Sequence, residues 1–237
     1  DLFRLDHNTQ AFEGGQVFRD GYMENSLWRY YENVHAMYDR LQARFPHVIM
    51  ENCAGGGGRA DLAFMARFHY TQATDWQLAP RCVRIYNGQS IALPPERLDL
   101  KAGVGMAGDL RGDLDFVIRS CLFGHLCLIG LYPGQGQGNP QHLSRVRHHV
   151  ELYKQFLRPF LSNCRMYHHT PVLKGKEPRG WAIWELAAAD QSRVMVGVFR
   201  LAGPAEDECL LRLRGVDAGR RYQVVQDNSG QCFEQDG

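Results

Sequence analysis

Four consecutive glycines, Gly55 to Gly58, follow directly on the run "VIMENCA" that begins at Val48. Glycine loses the most backbone entropy on folding and has no side chain to pack, so a quartet of them is not the interior of a helix or strand. Val48, Ile49 and Met50 predict a buried strand, and the glycines predict that its exit brings the backbone close to something. Residues 55 to 60, GGGGRA, satisfy G-x-G-x-x-[GA], the fingerprint of a dinucleotide pyrophosphate site at a helix N-terminus. Several features count against that use. Glu51, Asn52 and Cys53 separate the apolar run from the first glycines, and Glu51 would set a negative charge near the phosphates. The segment from Arg59 to the next strand signal near His69 is short for a crossover helix, and no ribose-binding acid follows at the usual interval of about 20 residues. A nicotinamide reading would require dinucleotide bound at Gly55 to Gly58.

The surrounding pattern alternates strand and helix. "LFRLD" reads as a short strand, and Ser26 to Arg44 as a helix with Leu27, Tyr30, Tyr31, Val34, Met37, Tyr38 and Leu41 on one face. Pro46 closes that helix, and "HVIME" and "HYTQAT" follow as strands. A helical segment runs from Pro80 to Gly88, "SIALP" is a further strand, and Asp113 to Phe123 is a helix. "LCLIGL" then reads as a strand, "PGQGQGNP" as a loop and Pro140 to Leu161 as a long helix. Strands alternating with helices predict a parallel sheet covered by helices. After about Pro178 the texture changes to short runs, "GWAIWEL", "SRVMVGVFRL", "ECLLRLRGV" and "RYQVVQD", split by turn residues. That is antiparallel all-β patterning. A boundary is therefore expected between residues 164 and 178.

Composition narrows the function classes. With 44% hydrophobic and 22% charged residues in 237, and a formal charge of +1, the chain offers no electrostatic case for nucleic acid or an anionic membrane. No apolar run approaches the roughly 20 residues that span a bilayer. Seven cysteines, with no C-x-x-C pair, predict free and partly buried thiols in a reducing compartment, and so a cytoplasmic home. The chain opens on "DLFRLDHN" with neither Met nor leader and is expected to be an internal piece of something longer.

The predicted strand ends carry polar groups: Asp6 and Asn8 after the first, the "ENC" and glycines after the second, Asp75 after the third. In a (β/α)₈ barrel the C-terminal strand ends converge on one catalytic face. Asp6 and Asp75 would then be two carboxylates on one face, the equipment of a glycosidase; a retaining enzyme holds the pair about 5 to 5.5 Å apart. Turn or helix-cap duty is the alternative for each taken singly.

"RLDHN", "ENCAGGGGRAD" and a Thr-Asp pair ending fourteen residues after Asp61 together resemble the catalytic region of the family 36 glycoside hydrolases, the α-galactosidases or melibiases. That family's pattern runs K-W-D-x-N, then E-x-C-x-x-G-G-x-R-F-D, then S-D. The resemblance implies a partial (β/α)₈ TIM barrel, about strands 4 to 8, over residues 1–170, followed by a truncated β-sandwich-like domain at 178–237. It implies a retaining exo-glycosidase acting on terminal α-linked galactose or a related sugar, with Asp6 as nucleophile and Asp75 as acid/base. Arg4 and Asn8 would bind sugar hydroxyls, Cys53 and Gly56 would line the sugar pocket, Arg59 would support that wall, and Trp76 would stack on the ring. Oligosaccharides or glycosides are the implied partners, with no cofactor, no metal, no nucleic acid and no membrane; a homo-oligomer is compatible with it. An eight-stranded barrel lacking its first strands has open edges, so activity of this stretch by itself is not expected. Departures include Arg4 for Lys, Leu5 for Trp, Ala60 for Phe, Thr74 for Ser, and Gln72 where the family has a tryptophan. They leave open an α-glycosidase or transglycosylase of other sugar specificity, and an inactive carbohydrate-binding relative.

Other candidates have plainer readings. His148-His149 and His168-His169 are adjacent pairs, which on a helix point about 100° apart rather than together as a metal pair at i, i+4. His125 marks a helix end, and Trp181 and Trp184 are expected to pack in a β-domain core.

Overall fold

A computed structural model describes residues 1–6, 8, 16–103, 113–129, 140–203 and 207–237. The expected loop at 133–139 lies outside the described residues. The chain forms two units, residues 1–76 and 77–237.

In the first unit, β1 (Leu2–Asp6), β4 (Ile49–Cys53) and β5 (Tyr70–Gln72) form a parallel sheet in the order β1-β4-β5. Register places Arg4 opposite Glu51 and Asp6 opposite Cys53. Between β1 and β4 lie a hairpin, β2 (Gln16–Arg19) and β3 (Tyr22–Asn25), and α1 (Ser26–Arg44). Asp20 and Gly21 both take positive φ, the two-residue Asp-Gly turn whose twist suits a hairpin. The Asp20-Gly21 dipeptide is the sequence signal for these two strands.

Strand alternation divides the sheet's side chains. Leu5 and Met50 face α1 and the short α2 (Leu62–Met65), packing with Tyr38, Phe64 and Phe68 and with Tyr31, Val34 and Leu41 from the predicted helix stripe. Phe64 meets Tyr31, His35 and Tyr38 edge-on at ring separations of 6.2, 5.1 and 6.2 Å. Asp61 caps α2, accepting from the Ala63 and Phe64 N–H groups at 2.9 and 3.1 Å. Arg4, Asp6, Glu51 and Cys53 occupy the other face.

The second unit contains α3 (Arg81–Ala92), β6 (Leu98–Gly103), α4 (Leu114–Ser120), β7 (His125–Ile129), α5 (Pro140–Leu152), a π-helical turn at Tyr153–Leu157 and α6 (Arg158–Leu161). β6 and β7 pair in parallel. The three-stranded antiparallel sheet that follows has the order β10 (Val194–Arg200), β9 (Trp181–Ala188), β8 (Cys164–His168). A ribbon of β11 (Arg221–Gln226) and β12 (Gln231–Asp236) ends the unit. Parallel strands with helices, joined to antiparallel sheets, make a partial α/β fold. Trp184, fully buried, stacks edge-on against Phe123 at 5.2 Å and donates to Asn87 Oδ1 at 2.8 Å, so the antiparallel sheet packs on the helical layer of its own unit. Among the described residues no helix is long and apolar enough to cross a membrane, and all seven cysteines are free thiols.

Three expectations are corrected. The helix expected to end at Gly88 runs on to Ala92, because nothing crowds Gly88 and the stop comes only at Leu93-Pro94. "SIALP" is therefore helix end and turn, and the strand is β6, where Asp99 and Lys101 are buried despite their charge. "ECLLRLRGV" forms no strand in its described residues. The Arg214 and Gly215 N–H groups donate instead to Glu185, a fully buried carboxylate that also meets His169 Nε2 at 2.7 Å. Backbone donors committed to a side chain are lost to a ladder.

The aromatic cluster yields a stability prediction. Phe64→Ala should cost about 3 to 5 kcal/mol, since a fully buried ring leaves a cavity between α1 and the sheet. Leu62→Ala, on an exposed side chain of the same helix, should stay within about 0.5 kcal/mol. Denaturant melts giving equal losses would contradict this packing.

Candidate active site

The C-terminal ends of β1, β4 and β5 meet around Arg4. Its Nη1 donates to Glu51 Oε1 at 2.9 Å, and its Nη2 donates to Cys53 Sγ at 3.2 Å and to Gln72 Oε1. Asp6 Oδ2 lies 3.7 Å from the same Nη2. Burial pulls the Arg4 guanidinium down, but the carboxylates of Glu51 and Asp6 and the Cys53 sulfur outweigh it and hold its pKa above the ordinary value. Arg4 therefore remains charged in a part-buried place. Glu51 is buried with it and balances that charge.

Gln72, buried at the end of β5, continues the network. Its Oε1 also accepts from Cys53 Sγ at 2.9 Å, and its Nε2 donates to Asp75 Oδ1 at 2.6 Å and to the Thr74 carbonyl at 3.2 Å. Asp6 and Asp75 are thus joined through two intervening side chains, Arg4 and Gln72. Both carboxylates are solvent-exposed, while Cys53 and Gln72 beneath them are buried. Burial pushes the Cys53 thiol up, so it stays protonated and acts as a hydrogen-bond donor to Gln72. A protonated thiol in this position is no nucleophile.

The glycine loop ties the strand ends together. The Gly55 N–H donates to Asn8 Oδ1, beyond the end of β1. Gly56 forms a bridge with Thr74, and a Cβ on it would lie 2.4 Å from Thr74 Cα and 2.6 Å from the Asp75 nitrogen. Its φ of +81° is one that side-chain-bearing residues rarely adopt. The close approach expected of these glycines is thus made to the backbone that carries Asp75. Gly56 shapes the site from within the protein, and the role of leaving room for a sugar is not needed to explain it.

Of the expected site residues, the structure brings Arg4, Asp6, Cys53, Gly56 and Asp75 together, with Asn8 held at the loop. Trp76 is 41% exposed next to Asp75, its N–H donating to Thr74 Oγ1 at 2.9 Å. Arg59 is corrected. Its guanidinium lies over the Phe64 ring at 5.9 Å, in the cluster on the other face of the sheet, and its carbonyl accepts from Asn52 Nδ2 at 2.9 Å. It braces the loop from behind. Glu51 and Gln72 were missed as functional positions; each lies two or three residues from a proposed site residue on a strand, a face-sharing signal that alternation supplies for Glu51 through Cys53.

The histidines are engaged elsewhere. His125 meets the Glu96 carbonyl at 2.7 Å and His168 the Ser90 hydroxyl at 2.8 Å. His148, His149 and Asp227 place one donor atom each within 4.8 Å of one another, closer than adjacent helical positions suggest. Asp227 comes from the turn of the ribbon and already pairs with Arg119 and with His148 at 2.8 Å. His149, buried, meets Asp115 at 3.1 Å, and burial holds its pKa below the ordinary value. The Arg119–Asp227 ion pair and these hydrogen bonds account for the cluster.

A family model described as Melibiase matches residues 1–157. The α-galactosidase of Escherichia coli is 29% identical over 229 residues, covering 94% of this chain and 30% of the relative. Alpha-galactosidase AgaA of Geobacillus stearothermophilus is 24% identical over 200 residues, covering 83% and 26%. Among solved structures, an α-galactosidase of Lactobacillus brevis superposes with a TM-score of 0.78 at 23% identity, over 98% of this chain and 32% of that one. The chain spans about a quarter to a third of the length of these relatives.

Gly56→Ala should cost about 2 to 3 kcal/mol, because the methyl meets backbone on a left-handed residue. Gly55→Ala, with Asn8 Oδ1 its nearest neighbour at 3.7 Å, should cost about 1 kcal/mol for the positive φ alone. Thermal melts giving the two variants the same loss would contradict the clamp on Thr74 and Asp75.

Proposed function

Because the chain belongs to the melibiase family, we propose that it supplies the catalytic carboxylates of a retaining exo-glycosidase that removes terminal α-linked galactose. Asp6 is the nucleophile and Asp75 the acid/base. The observation that carries this reading is the linkage of both carboxylates, from strand ends on either side of β4, through Arg4 and Gln72. In the first step Asp6 attacks the anomeric carbon, the bond to the leaving oxygen breaks, and Asp75 gives that oxygen its proton. In the second, Asp75 takes a proton from water, which attacks the same carbon and releases the sugar from Asp6. Arg4 holds a positive charge near Asp6 throughout, and Cys53 fills the floor between them.

Relatives solved with raffinose and with stachyose suggest α-galactosyl oligosaccharides as the substrate class. On the same reading, residues 1–170 are about strands 4 to 8 of a (β/α)₈ barrel, and residues 178–237 a β-domain. Gln72, in the place where the family carries an aromatic ring, favours a second reading in which the sugar accepted is not galactose.

The full-length protein, tested on a panel of aryl α-glycosides, should hydrolyse the galactoside; turnover of another α-glycoside in its place would support the second reading. Asp6→Asn should lower turnover by about 10³-fold or more. Its stability should change by no more than about 0.5 kcal/mol, since the Asp6 side chain is 47% exposed and its link to Arg4 is long. Substantial residual hydrolysis in a folded variant would reject Asp6 as nucleophile.

A further inference from the structure

Gln72 is 1% exposed and uses its amide in full. Oε1 accepts from Arg4 Nη2 and from Cys53 Sγ, and Nε2 donates to Asp75 Oδ1 and to the Thr74 carbonyl. These partners fix the amide in one orientation. Turned over, its NH₂ would face the donors of Arg4 and Cys53, and its carbonyl would face a carboxylate and another carbonyl. A side chain so held cannot follow Asp75 if Asp75 moves; it constrains where Asp75 can be. The sequence presents Gln72 merely as a lost aromatic, and nothing in its type or spacing announces this role.

We propose that Gln72 is a positioning residue of the reaction, locking the Asp75 carboxyl to Arg4, and through Arg4 to Asp6, with its proton-bearing oxygen free for substrate. This rests on Asp75 being the acid/base. With Nε2–H donating to Oδ1, that oxygen is the acceptor of the carboxyl group, and the transferable proton resides on Oδ2. When Asp75 has given up its proton, the same donor remains in place and still holds the group for the water step. The charged and titratable groups that touch the amide are Arg4, Cys53 and Asp75, and Glu51 and Asp6 are linked to it through Arg4. Without Gln72, Arg4 still has Glu51 and Cys53 as partners, whereas Asp75 loses the donor that holds its Oδ1. The effect of Gln72 should therefore fall on proton delivery to the leaving group, with little on attack by Asp6.

Leaving groups of different basicity separate these steps. In the full-length protein, Gln72→Met keeps the length and removes the donor. It should lower kcat/KM for methyl α-galactoside, whose leaving oxygen must be protonated, by about 10- to 100-fold. For the 2,4-dinitrophenyl α-galactoside, whose leaving group departs without a proton, the loss should stay below about 3-fold. Gln72→Glu keeps the volume and the acceptor toward Arg4, and should show the same split; it carries the test if the methionine variant does not fold. Equal losses on both substrates, or none, in a folded variant would overturn the proposal. Wild-type protein that turns over neither these galactosides nor any other α-glycoside of the panel would overturn the glycosidase reading beneath it, and this role with it.

Discussion

The Arg4 guanidinium is a cation set among the ends of three parallel strands, and the placement of the polar groups there depends on how its charge is shared. Glu51 takes one edge at 2.9 Å, while Cys53 and Gln72 accept from the other, with Asp6 just beyond. Withdrawing a charged pair from water is expensive, and removing one member leaves the other buried without compensation. Loss of Arg4 would strand Glu51, which is nearly inaccessible, and would also free Gln72 and Cys53 to reorient. The same guanidinium thus stabilises a buried carboxylate and orients an exposed one. The first task is structural, the second chemical, and Arg4 cannot be altered for one without the other.

The glycine loop acts on the backbone as Arg4 acts on side chains. Gly55 holds the segment after β1 through Asn8, and Gly56 packs directly against Thr74 and Asp75. The two carboxylates come from strands separated by nearly seventy residues of sequence, and β4 with its loop lies between them. Rigid elements set their positions, and the loop limits how far the strand ends can drift.

Much of this was legible in the residues because local rules and tertiary demand agree there. The stripe of α1 predicted its bounds, Ser26 to Arg44, and Tyr31, Val34, Tyr38 and Leu41 from that stripe pack with Leu5 and Met50. Asp6 and Asp75 stood out as carboxylates at strand ends. What escaped detection is set by partners remote in sequence. Gly56 was correctly marked for close approach, yet what it approaches, Thr74 and Asp75, is fixed only by the sheet. Gln72 reads as an ordinary polar strand residue until Arg4 and Asp75 are seen on either side of it. The 207–216 segment has strand composition, but its donors answer to a buried Glu185 that strand patterning does not reveal.

The central claim is that Asp6 and Asp75 work as a retaining pair, one bonding to the sugar and the other managing protons. The stereochemistry of the first product tests it most directly. Hydrolysis of an α-galactoside by the full-length protein, followed by proton NMR before mutarotation sets in, should give the α-anomer first, because two displacements at one carbon restore its configuration. Release of the β-anomer first would contradict the account, since it would require a single displacement by water and no bond to Asp6.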